Sequence, residues 1–266
     1  MEIFQAIILA LVQGFTEFLP VSSSAHLILV PVLLGWEDQG LAFDVAVHVG
    51  TLAAAIFYLR REIFVIVPAW LYGWSGLCWD KQGELGWWII LATIPVGLIG
   101  LLSGTFIENN LRSPLVIATT TLVFGVALAW ADRGADSKHR ILGDLGWKDA
   151  VLIGLAQAFA LVPGSSRSGM TMMAALLLGM TRVDAARFSF LLSVPAILLP
   201  GVLKGAALVA ADTSVDLLVI ATGMLVSAIT AFLCIKAFMA FVTRVGFIPF
   251  VYYRVILAIM LFGLFI

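Results

Sequence analysis

The sequence predicts an all-α polytopic membrane protein in which six transmembrane helices and two re-entrant helical hairpins form an inverted-topology repeat. Three observations lead there. Of 266 residues, 62% are hydrophobic and 12% charged, with mean hydropathy +1.10, and a soluble domain of that composition would expose large apolar patches. Six stretches are long and apolar enough to cross a bilayer core. Two more are as apolar but are interrupted by proline and a run of polar residues.

The chain opens with an interrupted stretch, about 3–36, broken at Pro20-Val21-Ser22-Ser23-Ser24. It begins with Glu2, lacks a basic segment and runs into a polar motif instead of a cleavage site, so it reads as part of the mature protein and not as a signal peptide. Spans at roughly 42–59, 86–106 and 114–131 follow. A second interrupted stretch, about 148–180, breaks at Pro163-Gly164-Ser165-Ser166-Arg167-Ser168. Spans at roughly 185–206, 217–239 and 249–266 complete the chain. Each interrupted stretch reads as helix, turn and second helix.

Charge supplies the orientation. Arg60, Arg61 and Lys81 share one loop, and Arg133, Lys138, Arg140 and Lys148 share another, two crossings later. The positive-inside rule makes both cytoplasmic. The segment around Asp212 and Asp216 has no basic residue and falls outside, and Arg244 falls inside again. On this count both interrupted stretches are re-entrant, the first from the outer face and the second from the cytoplasmic face, with tips meeting near the midplane.

The two breaks also resemble each other. Gln13 to Ala25 matches Gln157 to Gly169 with a one-residue gap, with Gln, Phe, Pro and a Ser pair recurring in order. Each half then holds one hairpin and three spans; since three is odd, the second half is inverted. Repeat one covers about 1–131 and repeat two about 148–266 of a single integral membrane domain. Inverted repeats with broken helices place their site at the repeat interface, near mid-membrane. The plainer alternative is that breaks are common in membrane helices and the likeness is compositional.

A net charge of -1 offers no basic field for nucleic acid, which leaves membrane lipid and a small ligand as partners. Cys78 and Cys234 are too few and too far apart for a disulfide framework or metal cluster and read as packing residues. Trp70, Trp74, Trp87 and Trp88 read as interfacial belt residues.

Arg167 stands in an apolar stretch, where a cation costs about 2.5–3.5 kcal/mol even on insertion scales. It is either a buried ion-pair partner, with Glu17 as the candidate, or a ligand-binding residue, and intramembrane charge favours the second. Guanidinium geometry suits bidentate phosphate recognition. Ser165, Ser166 and Ser168 open one returning half-helix and Ser22, Ser23 and Ser24 the other. Two helix N-termini with Arg167 between them make an anion site; N-capping alone explains one serine per break, not three.

Gln13 and Glu17 are four apart and share a helix face; His26 lies three beyond Ser23. Carboxylate, hydroxyl and imidazole can converge. Ser with a His base can be a nucleophile, and the carboxylate can orient the His or hold a divalent cation. His48, beside Asp44, reads as structural or peripheral, and His139 as solvated.

The runs "QGFTEFLPVSSSAH" (Gln13 to His26) and "PGSSRSGMT" (Pro163 to Thr171) resemble the two signatures of the bacterial undecaprenyl-diphosphate phosphatase family, also called bacitracin-resistance protein A. The likeness extends over the chain in length and hydropathy. It implies a multi-pass protein of the bacterial inner (plasma) membrane, its site open to the periplasm. The reaction implied is hydrolysis of undecaprenyl diphosphate to undecaprenyl phosphate, which returns as lipid carrier for cell-wall precursors. It also implies dependence on a divalent cation, Mg²⁺ or Ca²⁺, with Glu17 as candidate ligand.

Carried over by position, Gln13 and Glu17 form the acidic motif, Ser23 the nucleophile, His26 its base and Arg167 the phosphate clamp. Ser22, Ser24, Ser165, Ser166, Ser168 and Thr171 complete the substrate-binding set. Gln13 departs from relatives with a carboxylate there, which weakens any two-carboxylate metal scheme, and Ala25 stands where glycine is common. The rival class is a lipid-phosphate flippase or secondary transporter, which explains the architecture as well but needs no Ser, His and Glu together. Attack by Ser23 or by activated water, and a monomer or a homodimer, are left open.

Overall fold

The computed structural model describes residues 1–74, 80–210 and 216–266. Cys78, Asp212 and the side chain of Trp74 lie outside the described set. Eleven α-helices occur among the described residues: α1 (Ile3–Thr16), α2 (Ser23–Leu34), α3 (Leu41–Tyr58), α4 (Arg60–Trp74), α5 (Lys81–Asn110), α6 (Pro114–Asp132), α7 (Trp147–Phe159), α8 (Arg167–Leu177), α9 (Arg182–Ala210), α10 (Leu217–Val245) and α11 (Ile248–Phe265). Six of them, α3, α5, α6, α9, α10 and α11, are long and apolar enough to cross a membrane. They coincide with the six expected spans. The protein is an all-α, multi-pass membrane protein.

Helix α4 corrects the sequence reading, which placed Arg60 to Lys81 in a loop. Its 15 residues rise only about 22 Å, and the Arg-Arg-Glu start and Pro68 obscured a helical segment. The helix packs along α5, with Trp70 edge-on to Trp87 at 5.7 Å between ring centroids. This pair therefore joins two helices and is not simply a belt. Trp70 also lies against Gly86, where a Cβ would come within 2.9 Å of its Cβ.

Ion pairs sort the chain ends into two groups. Arg187 binds Glu62 at 2.9 Å, Arg182 binds Asp132 at 2.6 Å, and Asp132 accepts from the Phe247 N–H at 3.2 Å. Together these tie the start of α4, the end of α6 and the starts of α9 and α11 to one end of the bundle. At the other end Arg112 meets Asp38 at 3.4 Å and Lys204 meets Glu108 at 3.0 Å. The basic loops thus gather at the first end.

Both interrupted stretches turn back on themselves. Met1, Gln39 and Gly40 line one hollow with Leu208 and Asp216, so α1 begins and α2 finishes at the Arg112 end. Arg140 binds Asp149 near the start of α7 and the carbonyl of Leu178 just past α8, so the α7–α8 pair begins and finishes at the Arg187 end. The two tips touch: Gly164 N–H donates to Ser22 Oγ at 3.2 Å, and Ser168 Oγ donates to the Leu19 carbonyl at 2.7 Å.

Backbone geometry corrects the alignment of these stretches. Ser22 (φ 73°) and Ser166 (φ 74°) are the two non-glycine residues with positive φ among the described residues, and each precedes the first residue of the returning helix. They lie 144 positions apart, as do the left-handed glycines Gly35 and Gly179, Gln13 and Gln157, and the helix starts Ile3 and Trp147. The match therefore has no gap, and Pro20 and Pro163 are not equivalent. In this register Ser23 corresponds to Arg167. The prolines misled because either position produces the same break; the strained φ does not tolerate a shift. Helix packing follows the same exchange, α1 lying mainly on α10 and α7 mainly on α5.

A candidate active site between the two breaks

The returning helices α2 and α8 start at the meeting point of the two tips, so their first-turn N–H groups and positive dipole ends face a common space. A cavity of about 360 Å³ opens there. Its floor holds Glu17, Ser22, Ser23, Ser24, Ser166 and Arg167, and its walls rise through Val45, Val96, Leu161 and Ile197 to a mouth at Leu41, Asp44 and Lys204. Polar groups lie at the bottom and apolar side chains above, as in small-molecule sites generally.

Glu17 organises the floor. Its Oε1 accepts from Arg167 at 2.7 Å, and its Oε2 accepts from Ser23 Oγ at 2.5 Å and from Gln13 Nε2 at 2.9 Å. Ser23 and Arg167, the corresponding positions of the two breaks, thus grip opposite oxygens of one carboxylate. The ion pair that the sequence offered as an alternative role for Arg167 exists, and Arg167 still borders the cavity. Ser24 faces the opening, its hydroxyl 3.3 Å from that of Ser22.

Other expected residues lie behind the floor. Gln13 is fully buried beneath Glu17. Ser165 Oγ turns back to the Phe159 carbonyl at 2.9 Å, Ser168 binds Leu19, and Thr171 Oγ donates to Ser189 Oγ at 2.7 Å. These side chains fix the tips instead of facing the cavity. Ser166 caps α8 by accepting from Gly169 N–H at 3.1 Å.

The structure does not bring His26 to the hydroxyl of Ser23. Its Nδ1 donates to the Ser22 carbonyl at 2.7 Å and its Nε2 meets the Tyr253 hydroxyl at 2.5 Å, with the two rings stacked. Three-residue spacing put the side chains on one helix face, but tyrosine on α11 captures the ring. His48, read from sequence as structural or peripheral, is the imidazole of the cavity. Its Nε2 lies 3.8 Å from Glu17 Oε2.

One determining residue escaped sequence reasoning altogether. Arg254 on α11 is fully buried and donates to the carbonyls of Thr121 at 3.0 Å, Pro20 at 3.0 Å, Gly164 at 2.9 Å and Ser165 at 3.1 Å. It thereby ties both breaks to α6. The signal was present: a lone arginine within an apolar span is functional by default. Gly164 completes the junction, since at φ +92° a Cβ would lie 2.6 Å from the Ile117 carbonyl oxygen.

These side chains by themselves form no all-protein cation site. Glu17 has both oxygens engaged, one by a guanidinium, and no three of His, Cys, Asp and Glu come together among the described residues. Cys234 is buried, donating to the Phe15 carbonyl at 3.2 Å, in keeping with a packing role.

The family model for bacitracin resistance protein BacA matches residues 6–260. An undecaprenyl-diphosphatase of Teredinibacter turnerae is 55% identical over 263 residues, covering 98% of this chain and 99% of the relative. Those of Saccharophagus degradans, 54% identical with 99% and 98% covered, and Colwellia psychrerythraea, 53% identical with 97% of each covered, are comparably similar.

Proposed function

The chain belongs to the bacitracin resistance protein BacA family, and from that membership and the geometry of the cavity we propose how its reaction proceeds. It is a membrane phosphatase that hydrolyses undecaprenyl diphosphate to undecaprenyl phosphate and inorganic phosphate, recycling the lipid carrier of cell-wall synthesis. The observation that carries the mechanism is Glu17 holding Ser23 Oγ and the Arg167 guanidinium at once, between two helix N-termini.

The terminal phosphate sits on the floor, where Arg167 and the first-turn N–H groups of α2 and α8 bind its oxygens. Ser23 Oγ gives its proton to Glu17 and attacks the phosphorus; the bridging P–O bond breaks, and undecaprenyl phosphate leaves with the electron pair. Charge on the equatorial oxygens meets donors already in place, and their fixed orientation in a desolvated site is what lowers the barrier. Water then opens the phosphoserine. His26, held by Ser22 and Tyr253, positions the start of α2 and takes no proton in this scheme.

The two interrupted stretches are re-entrant hairpins of an inverted repeat, a reading supported by their paired φ angles and exchanged packing. The cavity opens toward the end that carries Arg112 and Lys204, away from the basic loops, which under the positive-inside rule is the periplasmic face of the plasma membrane. The prenyl tail runs along the apolar upper walls into lipid. Any cation dependence belongs to the diphosphate itself, not to a protein-held ion.

Phosphate release from undecaprenyl diphosphate by purified protein, with and without chelator, tests this. Arg167→Ala should abolish release while leaving the protein folded, and Ser23→Ala should reduce it at least about 1,000-fold. Near-normal turnover by Arg167→Ala would sink the clamp. Substantial hydrolysis by Ser23→Ala would replace the covalent step with directly activated water. A folded wild type that releases nothing would point to the transporter class.

A further inference from the structure

We propose that His48 is the proton carrier of the site, taking the serine proton from Glu17 during phosphoryl transfer and returning it when the phosphoserine is hydrolysed. The inference rests on the serine mechanism above and adds a residue to it.

Two imidazoles lie near the floor, and their hydrogen bonds distinguish them. His26 has both ring nitrogens occupied, by the Ser22 carbonyl and the Tyr253 hydroxyl. At His48 only one is. Its Nδ1 lies 2.7 Å from the Asp44 carbonyl oxygen; a carbonyl can only accept, so Nδ1 carries the hydrogen and Nε2 keeps its lone pair. That nitrogen lies 3.8 Å from Glu17 Oε2, a gap that a small rotation of the ring or one bridging water closes, and Oε2 is the same oxygen to which Ser23 Oγ donates. Ser23 Oγ, Glu17 Oε2 and His48 Nε2 thus form a short path of donor, shared acceptor and terminal acceptor.

Placement supports the role. The His48 side chain is 31% exposed while that of Glu17 is 6% exposed, and both border the cavity. Glu17 is enclosed by Arg167, Gln13 and Ser23, so a proton left on it would neutralise the carboxylate partner of the part-buried Arg167 guanidinium, an unfavourable state. Moving the proton onward restores the Glu17–Arg167 pair and creates an imidazolium beside a carboxylate. The charged groups facing His48 are Glu17 from the first break, Arg167 from α8 through Glu17, Asp44 on its own helix and Lys204 at the mouth on α9.

The steps balance. As Ser23 Oγ bonds to phosphorus and the bridging P–O bond breaks, the hydroxyl proton moves to Glu17 and then to His48 Nε2. When water attacks the phosphoserine, the P–Oγ bond breaks and Oγ recovers that proton through Glu17. One water proton stays on the inorganic phosphate, and the other leaves by the exposed imidazole.

The test is steady-state hydrolysis of undecaprenyl diphosphate by the full-length protein in detergent, comparing wild type, His48→Gln and His48→Ala, with and without added imidazole. Glutamine can keep a hydrogen bond to Glu17 but cannot carry the proton. Both variants should lose about 100-fold in kcat with KM changed less than about threefold. Because His48 is open to the cavity, imidazole should restore about tenfold of the loss in His48→Ala, which also shows that the variant is folded. Glutamine supporting kcat within about threefold of wild type would overturn the proposal, as would His48→Ala that melts like wild type but gains nothing from imidazole. The serine mechanism fails separately, through Ser23→Ala turning over at the wild-type rate.

Discussion

Replacing Arg254 by methionine keeps a long side chain in a fully buried position but removes every donor. Four main-chain carbonyls, those of Pro20, Gly164, Ser165 and Thr121, lose a partner at 2.9–3.1 Å. Gly164 keeps the Thr121 hydroxyl at 3.3 Å and Thr121 keeps its place in the α6 ladder, so the carbonyls of Pro20 and Ser165 are the two left as orphans, at about 1–3 kcal/mol each. About 4 kcal/mol is then lost, offset in part because a guanidinium no longer has to be desolvated. A net loss of about 2–4 kcal/mol remains. Spread over the whole fold it lowers Tm by about 5–15 °C. Confined to the junction it separates the breaks, and the population with Ser23 and Arg167 together on Glu17 falls by about 30- to 1,000-fold, with kcat/KM following. Thermal melting in detergent beside phosphate release separates the two cases. Arg254→Lys, with a compact ammonium in place of the guanidinium fork, should recover only part of either loss. Arg254→Met with unchanged Tm and turnover within about threefold of wild type would refute the idea that this side chain holds the site together.

Two further outcomes follow from the same contacts. Glu17→Gln cannot accept the serine proton and leaves Arg167 without its carboxylate, so kcat should fall at least about 100-fold and, because Arg167 can turn to the water of the cavity, stability by about 1.5–3 kcal/mol; a variant that melts as wild type does would show that the Glu17–Arg167 pair is not coupled to folding. Gly164→Ala places a methyl group 2.6 Å from the Ile117 carbonyl oxygen at φ +92°, and should cost about 1–3 kcal/mol in thermal unfolding, whereas a Tm equal to wild type would mean the tip relaxes without effort.

Sequence by itself determined the solvent, the number of crossings and the identity of the cavity floor. Lipid as solvent follows from composition, because a segment that meets its backbone hydrogen bonds internally must be a helix about 20 residues long, and that length is legible from hydropathy. Glu17, Ser23 and Arg167 were legible because charge and hydroxyl are expensive in an apolar stretch. Helix α4 was not, since Arg60, Arg61 and Pro68 resemble loop punctuation and its packing partner α5 lies beyond them.

Only the tertiary structure decided which imidazole borders the cavity. His26 is near Ser23 in sequence, yet Tyr253, 227 positions away, holds its Nε2, while His48 reaches Glu17 from a different helix. It also decided the register of the two breaks, through a pair of strained serines that composition cannot reveal, and the part played by Arg254, whose ligands are carbonyls of three separate segments. Spacing along a chain fixes which face a side chain leaves from; what it meets there depends on helices that pack against that face from elsewhere.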